Sequence, residues 1–285
     1  MFGFLNVYKP AGITSHDVIS RLRKVLHIKK IGHAGTLDPL AEGVLPVAIL
    51  GATRLIDFLP NEKEYLATFK FGVVSKSYDT ETELEFFSDK KISEEKVREE
   101  LKNFEGEIKQ KPPIYSAIKV GGRKLYEIAR EGEISEIPER TIVVKKISLE
   151  NFDFETQTGD LRINCSKGTY IRSIINDLGQ NLGVGGIMTK LIRTKSGGMT
   201  EENSINLNNL IENPDLIEKN LISPENILPF GCYNLNENEF EKVKNGNPIF
   251  AKCNDGNIFV KYDNKIVAYG EKSGDQIKIK KVFLQ

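Results

Sequence analysis

The apolar positions change their period along the first part of the chain. The run at 2–8 is almost continuously apolar, which predicts a strand, and Pro10 and Gly12 favour a turn after it. Thr14 or Ser15 then suits the N-cap of a helix. The apolar residues behind this cap recur at helical spacing, and they are Val18, Ile19, Leu22, Val25 and Leu26. A strand followed by an amphipathic helix is therefore predicted to open the fold.

Further strands are predicted where β-branched and aromatic residues cluster between Gly, Pro and Asn. These segments are 44–50, 64–73, 140–149 and 161–165, and helices are predicted near 93–104, 123–131 and 169–182. The elements interleave without a regular βα repeat. The pattern therefore favours an α+β fold with a mixed, mainly antiparallel sheet over a doubly wound parallel fold.

The composition changes near the C-terminus. Residues 199–231 are acidic and rich in Asn and Pro, whereas residues 242–285 contain many more lysines than acids and resemble short strands. The Asp263-Asn264 pair between two such strands suits a tight hairpin turn. The sequence thus predicts a large domain at 1–222 and a small β-rich domain at 223–285. A solvated β extension packed on the main domain is the alternative.

Length and composition narrow the class of protein. The chain has 285 residues, of which 39% are hydrophobic and 28% charged, as in a soluble globular protein. No apolar run approaches the roughly 20 residues that span a bilayer. The first residues have no charged leader, long apolar region or small-residue cleavage site, so a cytoplasmic location is expected. Cys165, Cys232 and Cys253 are widely spaced without a CxxC pair, and reduced thiols are expected.

The three histidines lie close together in the sequence, which raises the question of a metal site. The spacing of His16, His27 and His33 does not put them on one helical face, and no carboxylate cluster accompanies them. We therefore predict no metal site.

Charge is unevenly distributed in the first part of the chain. Basic and acidic residues are equal at 40 each, yet residues 18–37 contain no acid. The bases in this stretch are Arg21, Arg23, Lys24, Lys29 and Lys30. Asp38 follows in GHAGTLDPLAEG, as a lone anion beside a cationic patch, which is typical of sites that hold phosphates. Two simpler interpretations stay open, namely an ordinary Leu-Asp-Pro turn and a solvated basic helix face.

Six segments in order resemble the TruB family, the bacterial tRNA pseudouridine synthases that modify uridine 55. They are NVYKPAGITSHD, GHAGTLDPLAEGVLPVAIL, KEYLATFKFG, PPIYSAIKVGGRKLYEIAREG, CSKGTYIRSIINDLG and LIRTKSGG, which together span 6–198. The resemblance implies an active-site cleft across the mixed sheet. KNGNPIFAK and the basic tail resemble the PUA module of this family. The implied partner is the T stem-loop of tRNA, with no cofactor, no obligate protein partner and a monomer as the default.

The resemblance also assigns roles to residues. Asp38 matches the catalytic aspartate, Arg172 the arginine that pairs with it, and Tyr65 the tyrosine that stacks on the target base. Thr169 is expected to cap the helix that carries Arg172. An arginine can fork both oxygens of a carboxylate and keep it ionised in a dry pocket.

Other positions match residues that contact the substrate or border its pocket. His33 is expected to fill the place of the flipped base, and Asp79 to stabilise flipped nucleotides. The remaining matches are Tyr170 and Leu191 in the uracil pocket, Lys9 with Pro10 as a buttress, and Arg193 at the pocket border. Each of these could equally be structural on sequence grounds alone. The segment 112–132 is expected to grip RNA through Arg123, Lys124 and Arg130.

One segment departs from the family pattern. The usual TDTxDxxG is represented by SKSYDTET, in which Lys76 replaces an acid and the closing glycine is absent. The detailed role of this loop around Asp79 is therefore the least secure part of the match.

Three competing functions remain on sequence grounds. The first is a catalytically silent tRNA-binding protein or chaperone of the same fold. The second is a base-excising glycosidase, which usually needs a second carboxylate, and Glu42 is the nearest acid. The third is a guide-RNA-dependent relative within a larger particle.

Overall fold

The computed structural model describes residues 1–115, 119–120, 123–124 and 137–283 of the chain. The strands are β1 (Gly3–Lys9), β2 (Ile31–His33), β3 (Glu42–Ile49), β4 (Lys63–Phe71), β5 (Val73–Val74), β6 (Glu85–Phe86), β7 (Gly106–Gln110), β8 (Lys119–Val120), β9 (Arg123–Lys124), β10 (Arg140–Asp153), β11 (Thr158–Cys165), β12 (Gly186–Ser196), β13 (Met199–Thr200), β14 (Ile205–Asn206), β15 (Gly231–Asn234), β16 (Ile249–Phe250), β17 (Gly256–Tyr262), β18 (Lys265–Ser273) and β19 (Gln276–Val282). The α-helices are α1 (Ser15–Leu26), α2 (Glu94–Leu101), α3 (Ile171–Asn181), α4 (Leu207–Glu212), α5 (Asp215–Lys219) and α6 (Glu237–Lys244).

The first strand and helix form as the hydrophobic pattern predicts. Thr14 is the N-cap of α1, and its hydroxyl accepts a 3.0 Å hydrogen bond from the Asp17 amide. The Asp17 carboxylate accepts in return from the Thr14 amide at 2.8 Å, which completes a capping box. Val18, Ile19 and Leu22 are buried against β1 and β3.

A large sheet organises the molecule. Its strand order is β14-β1-β3-β12-β4-β11-β10-β7, with β2 and β13 attached to β3 and β12. The pairs β1·β14 and β3·β12 are parallel, and the other pairs of this sheet are antiparallel. The predicted α+β fold with a mixed, mainly antiparallel sheet is confirmed.

The central strands bury alternate side chains on one face of this sheet. In β4 the buried positions are Tyr65, Ala67, Phe69 and Phe71, which is the period of two that a strand requires. Helix α3 covers this face through residues such as Ile171, Ile174, Ile175 and Leu178. The site described below lies where the first turn of α3 meets the central strands.

Several elements differ from the sequence-based prediction. Strands β7 and β12 were not predicted, although β12 lies at the centre of the sheet. The helix predicted over 93–104 ends at Leu101, and a short 3-10 turn follows. The helix predicted over 123–131 is wrong at its start, because Arg123–Lys124 is a strand paired with β8. Residues 125–131 lie outside the described part of the chain.

The C-terminal part forms a separate five-stranded sheet in the order β15-β17-β18-β19-β16. Asp263 and Asn264 turn between β17 and β18 with φ angles of 50° and 58°, which confirms the predicted tight hairpin. This sheet has its own core, but Phe259 packs into a cluster with Phe4 and Leu55 of the main sheet region. A small C-terminal β-rich unit is thus confirmed, whereas the boundary after 222 and the PUA assignment stay predictions.

Within the described residues, no helix is both long and apolar enough to span a bilayer. All three cysteines are free thiols, with Cys165 buried and Cys232 exposed.

Candidate functional site

The Asp38 loop is both a turn and a cavity wall. The Ala41 amide donates to the Asp38 carbonyl at 3.1 Å, which closes a turn over Asp38-Pro39-Leu40-Ala41. The Asp38 side chain is 38% exposed and faces a cavity of about 240 Å³. The interpretation as a turn is therefore correct, and this turn presents the Asp38 carboxylate to the cavity, whereas its role in a site stays a prediction.

The opening segment of the chain holds this loop in place. The buried Lys9 amine donates to the carbonyls of Ala41 at 2.6 Å and Pro39 at 3.4 Å. The Leu37 amide donates to the Ser15 hydroxyl at 2.8 Å. Burial lowers the pKa of Lys9 to about 8, although the nearby Asp38 carboxylate opposes this. Lys9 thus contacts the loop backbone and does not line the cavity.

Arg172 pairs with two carboxylates at the wall of the cavity. Its guanidinium lies 3.0 Å from Asp38 Oδ2 and 2.9 Å from Asp79 Oδ2. It also donates to the carbonyls of Ser77 at 3.2 Å and Tyr115 at 3.2 Å. The Arg172 side chain is only 4% exposed, so these contacts fix its position. The expected pair of Asp38 and Arg172 is therefore present, with Asp79 as a second partner.

The start of α3 is built differently from the prediction. Thr169 does not cap the helix, since its hydroxyl donates to the Ser166 carbonyl at 3.0 Å. Tyr170 is the N-cap residue and its side chain makes no capping bond. The side chain of Gln110 fixes the start of α3 instead. Its carbonyl oxygen accepts from the Tyr170 backbone amide at 2.8 Å, and its NH2 group donates to the Tyr170 carbonyl at 2.9 Å. Gln110 comes from a distant strand, so local sequence gave no sign of this contact.

Sheet register brings Tyr65 and Arg193 together. Arg193 of β12 is the partner of Tyr65 on β4 and of Gly43 on β3. Directly paired residues project to the same face of a sheet, so the Arg193 side chain lies beside Tyr65. Burial raises the pKa of Tyr65, so its phenol is neutral at ordinary pH.

Arg193 is fully buried and binds main-chain carbonyls of the Asp38 loop. Its guanidinium donates to Val44 at 2.7 Å, Gly35 at 3.1 Å and Thr36 at 3.4 Å. Gly43 allows this close approach, because a Cβ atom there would lie 2.4 Å from the Arg193 carbonyl oxygen and its φ is +106°. Arg193 therefore shapes the loop from behind.

The cavity has a mixed lining. Tyr65, Tyr170 and Leu191 supply apolar surface, and Lys63 and Arg172 supply positive charge. Asp38 is the only carboxylate among the described residues that line it. An apolar slot with one carboxylate at its wall suits a flat, uncharged ring whose attached bond is to be attacked.

Four of the residues singled out from the sequence do not line the cavity. Lys9 and Arg193 lie behind the Asp38 loop, as described above. Asp79 is fully buried, with its Oδ1 bound to the Ser77 hydroxyl at 2.5 Å and the Glu81 amide at 2.9 Å. His33 is half-buried on β2, and burial lowers its pKa, which favours the neutral ring. In this conformation Asp79 meets protein atoms only.

The predicted basic surfaces are partly present. Arg21 and Lys24 of α1 are exposed, but Arg23 is half-buried and donates to the Ile31 carbonyl at 2.8 Å. Arg123 and Lys124 lie on β9, and Arg130 falls outside the described residues. Where the structure describes the chain, no cluster of three or more His, Cys, Asp or Glu side chains could hold a metal ion.

Comparison with known families and proteins identifies relatives along the whole chain. Residues 23–171 match the family described as TruB family pseudouridylate synthase (N terminal domain). Residues 172–225 match the family described as tRNA pseudouridylate synthase B C-terminal domain. The protein named tRNA pseudouridine synthase B from Clostridium tetani is 40% identical, with 100% of both chains covered. The protein of the same name from Carboxydothermus hydrogenoformans is 41% identical over 99% of both.

Solved structures share the fold. A Cbf5-Nop10-Gar1 complex contains a chain that superposes with a TM-score of 0.72 at 29% identity, covering 99% of this chain and 85% of that one. An H/ACA RNP bound to a substrate RNA containing 2′-deoxyuridine gives a TM-score of 0.70 at 27% identity, covering 100% and 86%.

Proposed function

Because the chain belongs to the TruB family of pseudouridine synthases, we propose that it converts uridine 55 in the T-loop of tRNA to pseudouridine. One observation carries the proposal for the site. Asp38 lines the cavity as an exposed carboxylate held at 3.0 Å by the buried Arg172. The relatives named tRNA pseudouridine synthase B support tRNA as the substrate class.

The proposed reaction is an isomerisation. The bond from ribose C1′ to base N1 breaks, the base turns, and C5 bonds to C1′ while C5 loses a proton and N1 gains one. No redox step or group donor is required. Asp38 acts on the sugar or the base, and it must be ionised to do so. The guanidinium of Arg172 lies 3.0 Å from this carboxylate and pairs with it.

The recessed cavity requires the target base to leave the stack of the RNA loop. Extrusion of a base costs a few kcal/mol, which the enzyme must offset with new contacts. The side chains of Tyr65, Tyr170 and Leu191 offer a ring-sized apolar surface for the flipped uracil. We assign His33, at the nearby strand β2, to the space that the base vacates, since a neutral flat ring can stack and hydrogen-bond there.

Tyr65 suits a second role in the proton steps. Tyr65 lies in the cavity wall beside Arg193, and burial raises its pKa, so the phenol is neutral. A phenol held in this way can take or return a proton when the base carbon loses its hydrogen. Its ring can stack on the base in the same position.

The competing functions fit the geometry less well. A glycosidase usually employs two carboxylates across the scissile bond, but Glu42 pairs with Lys190 and lies outside the cavity lining. A silent RNA-binding protein has no need for a carboxylate that faces a polyanion.

The proposal is tested by tritium release from C5-labelled uridine in three RNA hairpins. They are the T stem-loop, the same hairpin with cytidine at position 55, and an anticodon stem-loop that contains uridine. We expect release from the first alone, with pseudouridine mapped to position 55. Equal release from the anticodon hairpin would overturn the site specificity, and tight binding without release would support the silent RNA-binding protein instead.

A further inference from the structure

Lys63 lines more than one cavity. It lines the cavity of Asp38 and Tyr65, and it also lines a neighbouring cavity of about 160 Å³ that contains Gly35 and Lys167. Gly35 leaves room for it, since a Cβ atom at that position would lie 2.9 Å from Lys63 Nζ. The Lys63 side chain is therefore placed at the border of the proposed uridine pocket, with its amine beside Gly35.

No acid compensates the charge of Lys63 among the described residues. Its neighbours in sequence are engaged elsewhere, because Glu62 pairs with Lys145, and Glu64 pairs with Arg162 and Lys195. The Lys63 amine makes no ion pair or hydrogen bond to any described side chain or carbonyl, in contrast to the amine of the buried Lys9, which has carbonyl acceptors. An unpaired cation in a half-dry wall lacks the partner that its charge requires.

The groups that face Lys63 from other elements add positive charge. Arg193 on β12 and Lys167 beyond β11 repel it, and Cys165 on β11 is a neutral thiol whose pKa burial raises to about 11. Asp57 lines the far cavity without pairing with the amine. Burial and the repulsion from Arg193 lower the pKa of Lys63 to about 8.

The wider site also contains more cationic side chains than carboxylates. Four cationic side chains surround the Asp38 loop, namely Lys9, Lys63, Arg172 and Arg193, whereas the carboxylates paired with them are Asp38 and Asp79, both held by Arg172. Lys9 and Arg193 direct their donors to main-chain carbonyls behind the loop. Within the described part of the chain, Lys63 is the member of this set that lines the cavity without an anionic partner. The site is therefore prepared for an additional anion at that point.

We propose that Lys63 binds a backbone phosphate of the flipped target nucleotide and thereby anchors it in the pocket, an inference that rests on the proposed function. A nucleotide whose base enters the cavity brings its own phosphates to the rim, and a lysine is a natural point-charge partner for them. Lys167, exposed and lining the neighbouring cavity, extends the positive surface. The two phosphodiester groups that flank the nucleotide are negatively charged, so their binding favours the protonated form of the Lys63 amine.

A proton-linked affinity follows from this contact. The phosphate raises the pKa of Lys63 back toward its ordinary value, so RNA binding takes up a proton above about pH 8. The affinity should therefore fall as the pH rises through this range. An arginine at position 63 would keep its charge and remove this dependence.

The test measures binding of T stem-loop hairpins to the Asp38→Asn protein, so that turnover does not interfere. In two hairpins, the phosphate on the 5′ or the 3′ side of the target nucleotide is replaced by a neutral methylphosphonate. Lys63→Met and Lys63→Arg are compared with the matched control Lys195→Met, which removes a lysine that pairs with Glu64 on the neighbouring strand. Each protein is titrated at pH 7 and pH 9.

We expect Lys63→Met to weaken binding of the native hairpin about tenfold, as for loss of a charge-assisted contact. One of the two methylphosphonates should weaken the parent by a similar factor but leave Lys63→Met unaffected. Lys63→Arg should retain binding and lose the pH dependence, and Lys195→Met should behave as the parent. If both methylphosphonates cost the parent and Lys63→Met the same factor, the phosphate contact is wrong. Failure of the proposed function would appear separately, as absence of tritium release by the wild-type protein.

Discussion

Asp79 offers a sharp test of how Arg172 is held. Asp79→Asn removes the negative charge from a fully buried position whose carboxylate accepts from Arg172, the Ser77 hydroxyl and the Glu81 amide. The amide oxygen can keep the two contacts to Ser77 and Glu81. Its NH2 group would then face the Arg172 guanidinium, donor against donor. Arg172 would retain one carboxylate, the half-exposed Asp38.

The expected cost follows from the burial of this pair. Removal of one partner from a buried ion pair destabilises a protein by about 3–5 kcal/mol, because the other charge is left without compensation. Because Arg172 keeps its contact with Asp38, we expect a loss of stability near the lower end of this range, about 3 kcal/mol. That is a large fraction of the total stability of an ordinary domain. Turnover should also fall, since the guanidinium is no longer held from behind.

Urea unfolding measures the stability change, and tritium release from a T stem-loop measures turnover. Glu94→Gln is the matched control, because Glu94 pairs with Arg98 on α2 while both side chains are about half exposed. Exposed pairs of this kind contribute about 0–1 kcal/mol. A loss below about 1 kcal/mol for Asp79→Asn, with turnover like that of the wild type, would refute the view that Asp79 fixes Arg172.

Three further predictions concern the sheet and its buried cations. Gly43→Ala should destabilise the protein by more than about 2 kcal/mol in urea unfolding, because its Cβ would lie 2.4 Å from the Arg193 carbonyl oxygen; Gly246→Ala, with positive φ but open space, should cost about 1 kcal/mol. Tyr65→Phe should lower kcat about 100-fold or more while the unfolding free energy changes by less than about 1.5 kcal/mol, and an unchanged kcat would exclude a proton-transfer role. Lys63 has a pKa lowered to about 8 in the fold, so the unfolded chain binds more protons between about pH 8 and 10.5 and this group makes stability rise with pH. Lys63→Met should abolish that component when urea midpoints at pH 8 and pH 10 are compared with the wild type, and identical pH profiles would contradict the assignment.

The fold was predictable where local pattern and burial agree. The helix after Thr14 appeared because its cap and its apolar spacing coincide, and β4 appeared because its alternate residues are buried. Strand β12 was missed because Lys190, Arg193 and Lys195 interrupt its apolar pattern, although Arg193 is fully buried. A buried arginine in a central strand is explained only by its carbonyl partners, which lie far away in sequence.

The site was predictable from the family resemblance to the level of Asp38, Tyr65 and Arg172 but not in its supporting contacts. Asp79 and Arg172 are 93 residues apart, and no local signal links them. The predicted Thr169 cap was wrong, because the side chain of Gln110, on a distant strand, binds the Tyr170 amide and carbonyl at the start of the helix instead. Such contacts depend on tertiary packing, which local propensity does not encode.

The central claim is that the Asp38 carboxylate performs the isomerisation, and its most direct test is single-turnover tritium release by wild type and Asp38→Asn. Both proteins are mixed in excess with a C5-labelled T stem-loop in the presence of EDTA, and hairpin binding is measured in parallel. We expect complete release by the wild type and none by Asp38→Asn, with affinities that agree within about threefold. Release by Asp38→Asn at a rate comparable to the wild type, or an equal loss of binding and release, would contradict it.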